Sequence, residues 1–202
     1  VRLETLMARK RMSDALRDTV RSGIEAAVID PLTGLHNRRY AMPHLARIAE
    51  RAHKSKKPFA VMVADMDYFK QINDTHGHAA GDAVLIETAQ RLRQNLRSVD
   101  LVARIGGEEF LIVMPGAALS NARKAAQRLC HMIRDTPFDI PGVDAQSIAA
   151  TISIGLTVCD PTLKPAPNLP MTAEALLDRA DKALYEAKAE GRDRVTLVRP
   201  AA

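Results

Sequence analysis

The sequence predicts an α+β domain in the ferredoxin-like order βαββαβ: a central, mostly antiparallel sheet flanked by helices and preceded by an N-terminal stalk helix. Three observations carry that expectation. Phe59–Ala64 is an unbroken apolar run, too short for a helix and suited to a central buried strand. Leu101–Ile105 and Phe110–Met114 flank Gly106-Gly107-Glu108-Glu109, the pattern of a β-hairpin. Around these strands, residues 82–97 and 119–133 repeat apolar side chains at helical spacing.

Taken in order, Met12, Leu16, Val20, Ile24 and Val28 recur at every fourth position among charged residues, a helix stripe that runs straight into Asp30-Pro31. The stripe either pairs with its twin in a dimer or packs on its own domain. Asp30-Pro31-Leu32-Thr33-Gly34 is turn chemistry. Asn37 is placed to cap a helix reaching about Lys54, with Leu45, Ile48 and Ala49 inward. Pro43 should make that helix start late or kink, because an interior proline loses a hydrogen bond and meets the preceding turn. The strand at Phe59–Ala64 stops abruptly at Asp65-Met66-Asp67. Val84, Leu85, Ala89, Leu92 and Leu96 share one face of the next helix, and Leu119, Ala122, Ala126, Leu129 and Ile133 one face of the helix after the hairpin. Residues 148–158 read as a strand, and 160–170, with four prolines, as a loop. Thr172–Glu190 is a last helix stopped by Gly191, and Val195–Val198 a closing strand. This divides the chain into a stalk, residues 1–29, and one domain, residues 30–202.

Composition narrows the function classes. With 47% hydrophobic and 26% charged residues, the chain has the balance of a soluble globular protein. No stretch approaches the ~20 apolar residues of a membrane span, so this fragment is expected to be cytoplasmic and without membrane contact. The net charge is +5, yet only 3% of residues are aromatic and there is no Trp, which argues against a nucleic-acid platform. The positive charge is either a solvated surface or a set of Arg and Lys that hold nucleotide phosphates. Cys130 and Cys159 lie in apolar runs and read as buried thiols. His76 and His78 lack a third ligand nearby and read as structural.

The acidic residues are more informative. Asp65 ends a buried strand and Glu108 sits in a hairpin tip. Taking the first two strands of the unit as neighbours, their ends converge. Two carboxylates there repel unless a cation lies between them, and hard oxygen ligands favour magnesium. Gly106 and Gly107 carry no side chains, so a phosphate or sugar can approach the backbone. Read alone, the same four residues are equally an ordinary hairpin turn with Glu108 and Glu109 in solvent.

They do not stand alone. Gly106-Gly107-Glu108-Glu109-Phe110 is the GGEEF form of the signature that names the GGDEF family of diguanylate cyclases. Asp30-Pro31-Leu32-Thr33 with Leu35-His36-Asn37-Arg38-Arg39 resembles the family's entry motif. Asp65-Met66-Asp67-Tyr68-Phe69-Lys70, Ile72-Asn73-Asp74, Gly77-His78 and Gly81-Asp82 resemble its strand, turn and helix start, and Ala187-Lys188 with Gly191-Arg192 its C-terminal motif. The resemblance spans about residues 30–198, five motifs in order.

The resemblance implies a palm-type domain that condenses two GTP into cyclic di-GMP and two pyrophosphates, within an antiparallel homodimer. It implies two Mg2+ ions per half-site, with Mn2+ able to substitute, held by Asp65, the Met66 carbonyl and Glu108. Glu108 is also the implied proton acceptor, with Glu109 assisting. Asn73 and Asp82 would read guanine, whose N–H donors suit a carboxylate that adenine leaves unpaired. Outside this context, Asn73 reads as a turn residue and Asp82 as a helix N-cap. Phe69, Gly106 and Gly107 belong with the substrate. Lys70, Lys188 and Arg192 are implied triphosphate contacts, and the last two stand four apart, one helical turn. Arg97 and Asp100 match the family's RxxD product-inhibition site, with Arg128 on the next helix and Arg51 from a second domain. Asp30 and Arg104 should pair. A sensory domain upstream is implied for the full-length protein. The alternative function is a catalytically silent cyclic di-GMP receptor. A third reading, a palm-type enzyme acting on another nucleotide, lacks support at Asp82.

Overall fold

The computed structural model describes residues 10, 23, 27–139, 147–162 and 171–198. Most of the expected stalk, with Met12, Leu16, Val20 and Ile24, and the proline-rich residues 163–170 lie outside the described residues. Among those described, six strands form one sheet: β1 (His36–Asn37), β2 (Phe59–Met66), β3 (Leu101–Arg104), β4 (Glu109–Pro115), β5 (Ile152–Cys159) and β6 (Val195–Leu197). Five helices accompany them: α1 (Arg38–Ser55), α2 (Phe69–His76), α3 (His78–Gln94), α4 (Leu119–Asp135) and α5 (Ala173–Ala189).

All eight residues of β2 are buried, because both faces of the strand are covered. Ala60, Met62, Ala64 and Met66 pack with Phe69 of α2, Val84 and Leu92 of α3 and Leu129 of α4. Phe59, Val61 and Val63 pack with Leu45 of α1 and Leu176 and Leu184 of α5. The period-two alternation thus feeds two apolar cores, which is why the sequence shows an unbroken run. Each large side chain so buried is worth about 1.5–3 kcal/mol.

The strand order is β1-β3-β4-β2-β5-β6. This corrects the expectation that the first two strands of the βαββαβ unit, β2 and β3, are neighbours: β2 pairs antiparallel with β4 and β5, and β3 pairs with β4 from outside. The reason is burial. Phe110–Met114 is apolar throughout and takes the inner place, whereas β3 is only four residues long and is edged by β1. The ends still converge, because the hairpin tip leads directly into β4: Asp65 faces Glu109 in register, and the Met66 amide donates to the Glu108 carbonyl at 3.3 Å.

Other elements depart from the sequence pattern. Helix α1 does not start late: it begins at Arg38, with Asn37 Oδ1 accepting from the Tyr40 amide at 3.1 Å, and it runs through Pro43. Residues 69–76 form the helix α2, and α3 begins at His78, so Asp82 lies inside a helix rather than capping it. Gly77, at φ 82°, separates the two helices in a conformation open to glycine. Strand β5 starts at Ile152, while Ile148 exchanges both backbone hydrogen bonds with Phe138 instead. Cys130 and Cys159 are buried free thiols, and burial pushes Cys130 up to about 12. Among the described residues no helix is long and apolar enough to cross a membrane.

One close approach fixes the sheet against α5. A Cβ on Gly155 of β5 would overlap the Ala180 carbonyl and the Leu184 amide. Backbone, unlike a flexible side chain, cannot step aside. Gly155→Ala is therefore expected to destabilise the domain by about 1–3 kcal/mol, read as a lower urea midpoint with unchanged m-value; an unchanged midpoint would show that α5 can shift freely.

Candidate active site

Asp65 sits near the end of β2, on the face covered by α5, and is 5% exposed. Lys188, in the last turn of α5, brings its Nζ to 2.7 Å from Asp65 Oδ1. At that distance the ammonium is ion-paired with the carboxylate and opposes the effect of burial on it. Across the strand pair stand Glu108 in the hairpin tip and Glu109 at the start of β4. Burial is the chief cause that pushes all three carboxyls above the usual carboxylate range. The charge of Asp65 raises both glutamates further, while Lys188 opposes the rise at each of the three. Asp181, two turns before Lys188 on α5, adds to the negative field at Asp65 and Glu109.

A cluster of partly desolvated carboxylates suits a hard divalent cation. Among the described residues no three His, Cys, Asp or Glu side chains gather closely enough to enclose a metal by themselves. The donor set fits magnesium all the same: it commonly takes one or two carboxylates and completes its shell with waters and substrate phosphates. Asp65, Glu108 and the Met66 carbonyl offer that kind of set.

The two tip glycines differ in role. A Cβ on Gly106 would overlap the Glu109 carboxylate, so its bareness accommodates a neighbour within the chain. Gly107 has open space where a side chain would be, which leaves its backbone approachable. Arg104 steadies the tip, donating to the Gly107 carbonyl from Nη2 at 2.6 Å and from Nε at 3.0 Å. Its Nη1 reaches Asp30 Oδ1 at 3.1 Å, which ties the entry turn to the hairpin. Burial alone would raise Asp30; hydrogen bonds from Thr33 and Arg104 outweigh it and hold the carboxyl below its ordinary value.

Helices α2 and α3 follow the end of β2. The Asn73 side-chain amide and the Phe69 ring occupy the space over Gly81, next to exposed Asp82. Asn73 is thereby set against Gly81, the residue that precedes Asp82 in α3. Phe69 itself is buried in the core. Lys70 is exposed on α2.

The helical spacing expected for Lys188 and Arg192 is corrected. Helix α5 ends at Ala189, and Gly191, Arg192 and Asp193 all have positive φ, so Arg192 lies in a turn beyond it. Its guanidinium rests 4.5 Å over the Tyr68 ring, with Nη1 3.3 Å from the Tyr68 hydroxyl. Sequence reasoning passed over Tyr68; nothing local distinguishes it. Asp181 was legible in principle, being seven residues before Lys188 and hence on the same helix face.

A second cleft, of about 390 Å³, is lined by Arg97, Asp100, Arg128, Asn95, Asn121 and Lys124 among others. Here Arg97 Nη2 lies 2.6 Å from Asp100 Oδ1, and the Arg97 amide donates to Asp100 Oδ2 at 2.9 Å. The Asp100 side chain is 1% exposed against 53% for Arg97. Arg128 Nη2 donates to the Asn95 carbonyl at 2.7 Å. Arg51 lies on α1, across the sheet from α4, and does not join this cleft within one chain.

Comparison with known proteins gives the family and the fold. Residues 27–194 match the family model for the diguanylate cyclase GGDEF domain. The response regulator PleD of Caulobacter vibrioides is 42% identical over 194 residues, which is 96% of this chain and 41% of that protein. The diguanylate cyclase DgcP of Pseudomonas aeruginosa is 37% identical over 198 residues, 96% of this chain and 28% of its own length. The chain thus spans well under half of these relatives. The crystal structure of the coiled coil and GGDEF domain of DgcB from Caulobacter crescentus, in complex with c-di-GMP, superposes with a TM-score of 0.85 at 27% identity. That match covers 97% of this chain and 99% of the other.

The raised carboxyl pKa values make a prediction of definite sign. A carboxyl that prefers its proton in the folded state stabilises the fold at low pH, and that contribution is lost as pH rises through the raised pKa. Glu108→Gln should therefore raise Tm at pH 7.5 in chelator-containing buffer, with the gain shrinking as pH falls towards 4. A Tm gain independent of pH would contradict this origin.

Proposed function

This chain belongs to the GGDEF family, and from that premise we propose that it is a diguanylate cyclase domain, which condenses two GTP into cyclic di-GMP with release of two pyrophosphates. The observation that carries the reading is the convergence of Asp65, Glu108 and Glu109, desolvated and reluctant to ionise, beside Lys188. Such a cluster is costly to the fold and gains a purpose when cations and phosphates arrive between its charges.

Each domain holds one GTP. Asp82 accepts from the N1–H and N2–H of guanine, and Asn73 complements it as donor and acceptor. Lys188, Arg192 and Lys70 meet the triphosphate; Gly107 lets it lie against the hairpin backbone. Asp65, the Met66 carbonyl and Glu108 would hold Mg2+, two ions per half-site, which would supply Lewis-acid polarisation of the α-phosphate. The 3′-oxygen of one GTP forms a bond to the α-phosphorus of the other. The bond from that phosphorus to the bridging oxygen breaks, and pyrophosphate leaves with the electron pair. The hydroxyl proton passes to Glu108, assisted by Glu109. Two such steps close the ring.

Two 3′-hydroxyls must each reach the other molecule's phosphate, which calls for two domains facing antiparallel about a two-fold axis. Holding both substrates in register is the main catalytic contribution, worth up to ~7–11 kcal/mol. Residues 1–29 are the stalk through which an upstream sensory domain sets how the two copies meet, and residues 30–202 are the cyclase domain. Product returns to the Arg97–Asp100 cleft, with Arg128 and a second domain's Arg51, as feedback inhibitor. GTP as substrate places the reaction in the cytoplasm.

Incubation with GTP and Mg2+, followed by mass spectrometry, should give cyclic di-GMP and pyrophosphate in a ratio of one to two. Glu108→Gln should lower turnover at least ~100-fold while leaving the affinity for added cyclic di-GMP within about twofold of wild type. Normal turnover in that variant would overturn the assignment of Glu108, and absence of product from the wild-type dimer would favour a receptor.

A further inference from the structure

Asp67, two residues beyond Asp65 in the same run, invites reading as another metal ligand, but its surroundings point elsewhere. It is 3% exposed, and both oxygens are taken. Oδ1 accepts from Ser153 Oγ at 2.7 Å, and Oδ2 accepts from Thr151 Oγ1 at 2.7 Å and from the Asp193 amide at 3.1 Å. Its own amide donates to the Thr151 carbonyl at 2.9 Å. Three directed donors occupy most of the roughly four acceptor sites of a carboxylate, so Asp67 is committed to its neighbours in the chain.

What those bonds hold is informative. Gly191, Arg192 and Asp193 follow one another at φ 115°, 65° and 47°. Two consecutive side-chain-bearing residues in the left-handed region persist only when their surroundings enforce it. The enforcement comes from outside the turn: Asp67 takes the Asp193 amide, and Arg134 Nη1 lies 3.0 Å from Asp193 Oδ2. The Arg192 amide, meanwhile, closes α5 by donating to Ala187 at 3.0 Å. Asp67 also directly precedes Tyr68, the ring on which the Arg192 guanidinium rests. The buried Asp67 carboxylate therefore holds the backbone that carries Arg192, and Asp67 adjoins in sequence the ring on which that arm rests.

We infer that Asp67 is a positioning residue that sets Arg192 for the triphosphate and takes no part in binding the cation. The inference rests on the reading of Lys188 and Arg192 as triphosphate contacts. In Asp67→Asn one anionic acceptor becomes an amide, so the Asp193 amide or a hydroxyl loses its partner and the turn loosens.

The test uses the whole chain with inorganic tripolyphosphate and Mn2+ as separate probes. Asp67→Asn should weaken tripolyphosphate binding about tenfold, leave Mn2+ affinity within about twofold, and speed amide exchange in the peptide containing Asp193. In an Arg192→Ala background the same substitution should change tripolyphosphate affinity by less than about twofold, because the arm it aims is gone. Thr151→Val, which removes one donor and keeps the carboxylate, should show a smaller loss in the same direction and serves if Asp67→Asn does not fold. Undiminished tripolyphosphate affinity in both variants, an equal loss in the Arg192→Ala background, or loss of Mn2+ binding would each overturn the inference. If wild type itself binds no tripolyphosphate, it is the triphosphate reading that fails.

Discussion

Negative charge held out of water at the end of a buried strand is the constraint on which this structure turns. Asp65, Glu108 and Glu109 come from places 43 and 44 residues apart in the chain, and burial together with neighbouring negative charge makes each reluctant to ionise. Lys188 offsets part of that cost without removing it. A fold that maintains such a cluster gives up stability at the site, and in the proposed function a cation with phosphates restores the balance.

The rest of the architecture keeps those charges in place. Both faces of β2 are packed, so the strand cannot slip, and a one-residue slip would turn Asp65 to the opposite face. Helix α5 is pressed on Gly155, which sets the reach of Lys188. Arg104 links the hairpin tip to Asp30, the turn through which the chain enters the domain. That bridge joins the entry of the domain to the loop carrying Glu108, a mechanical link between the N-terminal side and the chemistry.

Much of this was legible in the sequence, and the limits are physical. The run FAVMVA and the hairpin with its GGEE tip announced themselves because burial on two faces and tight turns leave local marks. Helix α2 did not: FKQINDTH is short and mostly polar, and only Phe69 and Ile72 anchor it to the core. The place of β4 between β3 and β2 is a non-local pairing that periodicity does not encode. Spacing put Lys188 and Arg192 on one helix face, yet Gly191 ends the helix and sends Arg192 onto Tyr68 instead. The family motifs named the candidate residues; how they are held, by Asp67 or Arg104, is visible only in three dimensions.

The most direct test of the central claim is a double-mutant cycle on Mn2+ binding, followed by electron paramagnetic resonance, with Asp65→Asn, Glu108→Gln and the pair. If both carboxylates serve one cation site, each single change weakens binding about tenfold or more, and the second costs far less once the first is made. Losses that simply add, or Mn2+ affinity untouched by either change, would contradict the account.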